Sequence, residues 1–213
     1  MKKWNCRKYY TLVEIMTVIV IAALLFGIGI PAFTTMIQGS NMTVAIRQLS
    51  AKIQAARAYA VTNRCRVALL LVEDETASKI VPDAGFSAYR VCVIEDDALN
   101  FQSWIEDEDW RLLPKGVLRK ALNSSDYENI AEIPKKSEES LWQLEDTDGA
   151  VSPLKALVFQ KDGKLTKSAN IELYQGRCLQ KGSTISPVPT GGTDHKLSVN
   201  QYSGKVTVTV PES

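Results

Sequence analysis

A carboxylate at the mouth of an apolar helix carries the most chemistry in this sequence. Glu14 stands directly before residues 15–33, nineteen positions without a charge. An ionised carboxylate moved out of water costs several kcal/mol unless a counter-charge or hydrogen bonds replace the solvent. Near a bilayer centre the cost is roughly 2 to 3 kcal/mol, and it falls towards the edge. The chemistry expected of Glu14 is therefore ion pairing at low dielectric, not bond-making.

Other reactive side chains build no catalytic set. His195 is the single histidine, so imidazoles supply neither a multi-histidine metal site nor paired acid–base catalysis. It sits beside a Gly- and Pro-rich stretch and is expected to be a solvated loop residue. No Gly-x-Ser-x-Gly elbow or phosphate-cradling loop occurs. Cys65, Cys92 and Cys178 lie beyond the apolar run without C-x-x-C spacing, so at most one disulfide can form among them. Cys92, between Val91 and Val93, suits either a bridge or a small buried apolar residue. The acids 95–97 and 106–109 lack calcium-loop spacing and are expected to be solvated. Arg57, Arg64 and Arg66 gather near a helix end, where cations favour the dipole. No enzyme, metal or cofactor is expected.

The elements that must position Glu14 follow from charge and periodicity. Lys2, Lys3, Arg7 and Lys8 crowd the first eight residues, and without them 21 basic side chains face 24 acidic ones. A mildly acidic remainder gives no electrostatic reason to expect a nucleic-acid partner. The basic cluster suits a cytoplasmic topogenic signal, and nineteen helical residues reach about 28 Å, close to a bilayer core of ~30 Å. This apolar run exceeds a signal-peptide core of about 7 to 15 residues. Met42, Ile46, Leu49, Ile53, Ala56 and Ala60 then continue at helical spacing, so residues 38–63 are expected to form an amphipathic helix. Arg47, Gln48, Lys52, Gln54 and Arg57 lie off its apolar stripe. Gly27, Gly29 and Pro31 weaken the helix where it leaves the apolar run, because Pro31 lacks a donor and crowds the carbonyl of Gly27.

Beyond the helix, β-rich runs at 67–72, 89–94, 156–159, 171–174, 197–199 and 206–210 predict strands, with turns at Asp162-Gly163 and Ser203-Gly204. Residues 118–153 look like an insertion, with isolated Leu141, Trp142 and Leu144. Residues 182–194 read as a loop by composition. The fold class expected is α+β, a long N-terminal helix packed on an antiparallel sheet.

The residues Lys8-Tyr9-Tyr10-Thr11-Leu12-Val13-Glu14-Ile15-Met16 resemble the prepilin cleavage and methylation motif. That resemblance implies cutting between Tyr9 and Tyr10, N-methylation of Tyr10, and retention of Glu14 in the membrane. There Glu14 would pair with the terminal amine of a neighbouring subunit. Tyr9 departs from the family, which has Gly before the cut. Either the peptidase accepts a bulky residue or the leader is retained. Gly27, Gly29 and Pro31 match the stretch that loosens in assembled pili of the family.

Further stretches resemble the H-type minor pseudopilin and FimT-like minor pilin family: Pro31-Ala32-Phe33, Ala55-Ala56-Arg57-Ala58-Tyr59-Ala60, Trp110 followed by Leu113-Pro114-Lys115-Gly116-Val117, Val158-Phe159 before Asp162-Gly163, and Ser203-Gly204-Lys205-Val206. The resemblance implies a leader at 1–9, a membrane-spanning helix half at 10–37 and an exported pilin-like domain at 38–213. It implies a bacterial inner-membrane protein with a cytoplasmic N-terminus. Its function would be as a minor subunit of a type II secretion pseudopilus or type IV pilus, near the tip or initiation complex. Expected partners are other pilin or pseudopilin subunits, a prepilin peptidase/methyltransferase, the membrane and an assembly platform. The alternatives are a competence or adhesion pilin contacting DNA or a surface, and an envelope domain that uses the helix only as a tether.

Overall fold

The computed structural model describes residues 11–73, 84–123, 125–131, 133, 153–181 and 184–210, with the backbone alone over 28–38, 180–181 and 184–185. Tyr9, Tyr10 and the rest of the leader lie outside the described residues, as do Leu141, Trp142 and Leu144. The chain divides between Ser40 and Asn41 into two compact units. Helix α1 (Leu12–Asn63) runs through that boundary.

In the first unit α1 is apolar on every described face. Leu12, Val13, Ile15, Met16, Val18, Ile19, Val20, Ile21, Leu24, Leu25 and Phe26 are all exposed, between 49% and 75%. A helix apolar all round is normally covered all round. Its described side chains end at Gly27, about 24 Å of helix from Leu12 against a bilayer core of ~30 Å. Among the described residues no helix is long and apolar enough to cross a membrane. The backbone stays helical through Gly27, Gly29 and Pro31, despite costs of about 1 kcal/mol for each glycine and about 3 kcal/mol for the proline.

In the second unit α1 becomes amphipathic. Met42, Ala45, Leu49, Ile53, Ala56 and Ala60 are buried, with Ile46 packed beside them. Lys52, expected off the stripe, is also buried, because Glu108 comes down on its ammonium. The helix ends in a Schellman-type cap: Arg64 takes φ 51° and the Cys65 amide donates to the Ala60 carbonyl at 3.3 Å.

After α1 come β1 (Arg66–Leu71), a short α2 (Ala84–Ser87), β2 (Ala88–Ile94), β3 (Phe101–Trp104), β4 (Arg111–Leu112), β5 (Val117–Arg119), β6 (Glu128–Ile130), β7 (Leu154–Phe159), β8 (Ala169–Lys181), β9 (Thr184–Pro189), β10 (His195–Val199) and β11 (Val206–Thr209). One sheet has the order β3-β2-β1-β7-β6, with β4 also on β2; the other has β11-β10-β8-β5, with β9 also on β8. The named strand pairings are all antiparallel. The fold is thus α+β, an N-terminal helix with antiparallel sheets.

The continuous apolar run of β1 follows from burial on both faces. Val67, Leu69 and Leu71 join the helix stripe, with Ile171, Leu173, Leu197 and Val199 from the second sheet. Ala68, Leu70 and Val72 point the other way, into a cluster with Cys92, Ile94, Ile130 and Val158. Every expected strand is present. Two expectations fail: residues 118–153 are not wholly an insertion, because Leu118 and Arg119 belong to β5 and residues 128–130 to β6. Residues 182–194 are not wholly loop, because β9 pairs with β8, Pro187 opposite Cys178 and Pro189 opposite Gly176. Among the described strands β9 pairs with β8 alone, and an edge position tolerates the missing proline donors.

Ile53 is fully buried and Val44, nine residues earlier on the same helix, is 40% exposed. Ile53→Ala is expected to lower the stability of the full chain by about 2–5 kcal/mol, and Val44→Ala by less than about 1 kcal/mol, in denaturant unfolding in detergent micelles. Equal losses would place the core elsewhere.

Candidate functional site

Glu14 occupies the third position of α1, and Thr11 is the N-cap. The Glu14 amide donates to Thr11 Oγ1 at 3.2 Å, while the Thr11 amide donates back to Glu14 Oε2 at 3.5 Å. This reciprocal pair is a capping box, which satisfies two amides that the helix leaves open and favours an acid at the positive end of its dipole. Thr17 Oγ1 donates to the Glu14 carbonyl at 2.9 Å. Glu14 is exposed and has no cation within ion-pair distance among the described residues. Among the described residues one carboxylate therefore stands at the end of an apolar surface, held by its own backbone turn and without an ion-pair partner.

The three arginines near the other end of α1 do not share the expected dipole-capping role. Arg66 lies past the helix and donates through Nη1 to the carbonyls of Glu95, Asp96 and Ala98 at 3.1, 2.8 and 3.3 Å. Arg64 is the left-handed residue of the C-cap. Arg57 sits nearly two turns before the end, and its Nε donates to the Gly163 carbonyl at 3.0 Å. Both predicted turns close on it. Gly163 and Gly204 have φ of 79° and 63°; a Cβ on Gly204 would lie 2.4 Å from Arg57 Cδ, and one on Gly163 would lie 3.1 Å from Arg57 Nε. The Asn200 side chain holds the second turn by accepting the amides of Tyr202 and Ser203 at 3.0 and 2.9 Å. A groove of about 630 Å³ opens between this stretch of helix and residues 203–205.

The remaining candidates do not converge. Cys65 packs with the helix-side core, Cys92 lies in the cluster on the far face of β1, and Cys178 lies against the Phe86, Leu118 and Tyr174 group. The disulfide left open among Cys65, Cys92 and Cys178 is accordingly not formed, because the three thiols lie in three separate clusters. Three of the seven acids at 95–97 and 106–109 are partnered by bases: Asp96 with Lys161 at 2.6 Å, Glu108 with Lys52, and Asp109 with Arg90 at 3.8 Å. Among the described residues no three His, Cys, Asp or Glu side chains are grouped to hold a metal ion. His195 opens β10 opposite Leu173, half-buried, with Nδ1 enclosed and unbonded, and so is not the solvated loop residue expected.

Sequence reasoning missed two buried guanidiniums. Arg119 on β5 donates to the Val72 carbonyl, and burial pulls its pKa down to about 10 while Tyr127 and Glu73 oppose the shift, so it keeps its charge at neutral pH. Arg90 on β2 lies 3.8 Å over the Trp104 ring, and burial lowers its pKa too. An arginine within a β-rich apolar run is the available signal, as in Tyr89-Arg90-Val91.

Burial raises the Cys92 thiol to about 12 from an ordinary 9.0, and Arg90 only partly opposes it. Burial likewise raises Tyr174 to about 12. For these acids the folded chain holds the proton more tightly than the unfolded chain, so their stabilisation is complete below pH 9 and is lost as pH rises towards 12. Unfolding free energy measured from pH 8 to 11 is expected to fall over that interval, and less steeply in Cys92→Ala. Native Cys92 should resist alkylation at pH 8 and react once unfolded; rapid native alkylation would contradict its burial.

Among solved structures the chain is similar to the type IV minor pilin FimU of Pseudomonas aeruginosa, at 14% identity and TM-score 0.46 over 82% of this chain and 96% of that one. It is also similar to the minor pseudopilin EpsH of the type 2 secretion system of Vibrio cholerae, at 10% identity and TM-score 0.42 over 80% of this chain and 98% of that one. No protein-family profile and no curated protein matches the sequence. Likeness at this level leaves function to be argued from the chain's own residues.

Proposed function

We propose that this chain is a non-enzymatic, pilin-like subunit that sits in the bacterial inner membrane and joins a type IV pilus or type II secretion pseudopilus through α1. The observation that carries the reading is the all-round apolar surface of residues 12–26, which meets a single carboxylate at its N-terminal end. Such a surface suits lipid before assembly and other apolar helices after it. In both settings water is excluded, and Glu14 needs a cation. An amine at the start of a neighbouring helix would meet that need and fix the register between subunits.

The remaining assignments extend this reading. A prepilin peptidase/methyltransferase would cut between Tyr9 and Tyr10 and methylate Tyr10. Residues 10–37 would cross the membrane, leaving 1–9 cytoplasmic and 38–213 exported. Gly27, Gly29 and Pro31, helical here, would give way when the helix enters a filament. A place near the filament tip, contact with an assembly platform and support of protein secretion complete the proposal.

The capping box supplies a discriminating test. Thr11→Ala breaks it at a cost of about 0.5–2 kcal/mol but keeps the charge, whereas Glu14→Leu removes both. Assembly through the charge predicts that Thr11→Ala still enters filaments, while Glu14→Leu stays in the membrane fraction and enters them about tenfold less. Equal behaviour of the two variants would reduce Glu14 to a helix cap. Mass spectrometry of the extracted chain is expected to find a methylated Tyr10 N-terminus; an intact leader on filament-bound chains would refute the processing step.

A further inference from the structure

From the geometry around Arg57 we infer a second interaction site: a carboxylate-binding groove that receives an acidic side chain of a neighbouring subunit. It rests on the assembly reading above but involves a different surface. Arg57 is anchored at Nε by its own chain. Its Nε is committed to the Gly163 carbonyl at 3.0 Å. Gly204 leaves no room for a Cβ beside its stem. Among the described residues no acid pairs with Arg57, and its two Nη groups take no hydrogen bond.

The groove onto which Arg57 opens is also lined by Gln54, Thr62, Ser203 and Lys205, with no carboxylate among its lining residues. Lys205 is exposed and forms no ion pair among the described residues. Lys120, Lys155, Lys161, Lys164 and Lys167 each meet an acid of the same chain, whereas Lys205, like Arg47, Arg111, Lys115, Arg177 and Lys196, meets none among the described residues. What distinguishes Lys205 is its place beside Arg57 in one groove. A fixed fork of N–H donors, one flexible ammonium and neutral hydroxyl and amide groups form a receptor for an anion.

Two features favour a carboxylate over a nucleic-acid backbone. The groove offers one guanidinium and one ammonium, enough for a single anion but not for a run of phosphates. The chain beyond its basic leader is net acidic, with 21 basic against 24 acidic side chains, which repels a polyanion. An acid presented by another folded subunit brings one charge to one fork. Such pairs set partner choice and register at a rim more than they add affinity.

The test uses the full chain expressed with its partner subunits, measuring its recovery in sheared filaments and in the membrane fraction. Lys205→Glu, on an exposed side chain, is expected to reduce filament recovery about tenfold with membrane levels unchanged. Arg57→Glu should do the same, and Arg57→Lys should lose less. An acid-to-lysine change in a partner subunit should restore Lys205→Glu. Wild-type recovery of Lys205→Glu would overturn the inference. If wild-type chain is absent from filaments, the assembly reading fails instead. Titration of the micelle-bound chain with acetate, inorganic phosphate and a single-stranded oligonucleotide, followed by the Arg57 Nε–H resonance, separates the ligand classes. A shift with acetate that is lost in Lys205→Glu supports the carboxylate; a salt-dependent response to the oligonucleotide alone overturns it.

Discussion

Water is a poor environment for the first part of α1, and much of the molecule's organisation answers that constraint. Eleven large apolar side chains between Leu12 and Phe26 are 49% to 75% exposed. At about 1.5–3 kcal/mol for each such side chain fully buried, and with these only partly exposed, covering them is worth about 10–20 kcal/mol. That rivals the net stability of an ordinary domain, about 5–15 kcal/mol. A surface with this much to gain is not left in solvent. Because it has no polar face, the cover must also surround it, which lipid or a ring of apolar helices does and a single docking face does not.

Once the cover is apolar, Glu14 becomes the costly group, and its capping box only partly compensates. One backbone amide, that of Thr11, donates to the carboxylate, and it carries no full counter-charge. The second unit manages its charges differently. Lys52 is buried against Glu108, Arg90 lies over Trp104, and Arg119 is wedged onto a carbonyl. Within the described residues those cations have local reasons to be where they are. Among the described residues Glu14, Arg57 and Lys205 have no ion-pair partner, and the proposed assembly would supply opposite charges to them.

Much of the fold was legible because its signals are local. The period of Met42, Leu49, Ile53, Ala56 and Ala60 announces a one-sided helix, and β1 is apolar from Val67 onward because both its faces are buried. The two glycine turns were readable from Asp162-Gly163 and Ser203-Gly204. Their convergence on Arg57 was not, since over a hundred residues separate the helix from either turn and no local pattern encodes that distance. Proline hid β9, whose edge position excuses the lost donors, and ion pairing hid Lys52, whose burial depends on Glu108 arriving from a distant loop. The three cysteines were ambiguous for the same reason: the packing of distant segments, not spacing, decides which cluster each thiol enters.

The central claim is a contact between the Glu14 carboxylate and an amine of another chain, and zero-length carbodiimide coupling in purified filaments reads it directly. Peptide mapping by mass spectrometry is predicted to recover Glu14 joined by an amide bond to the N-terminal amine of a neighbouring subunit. Recovery of Glu14 coupled instead to an added small amine, as readily as surface carboxylates such as Asp97, would contradict the account.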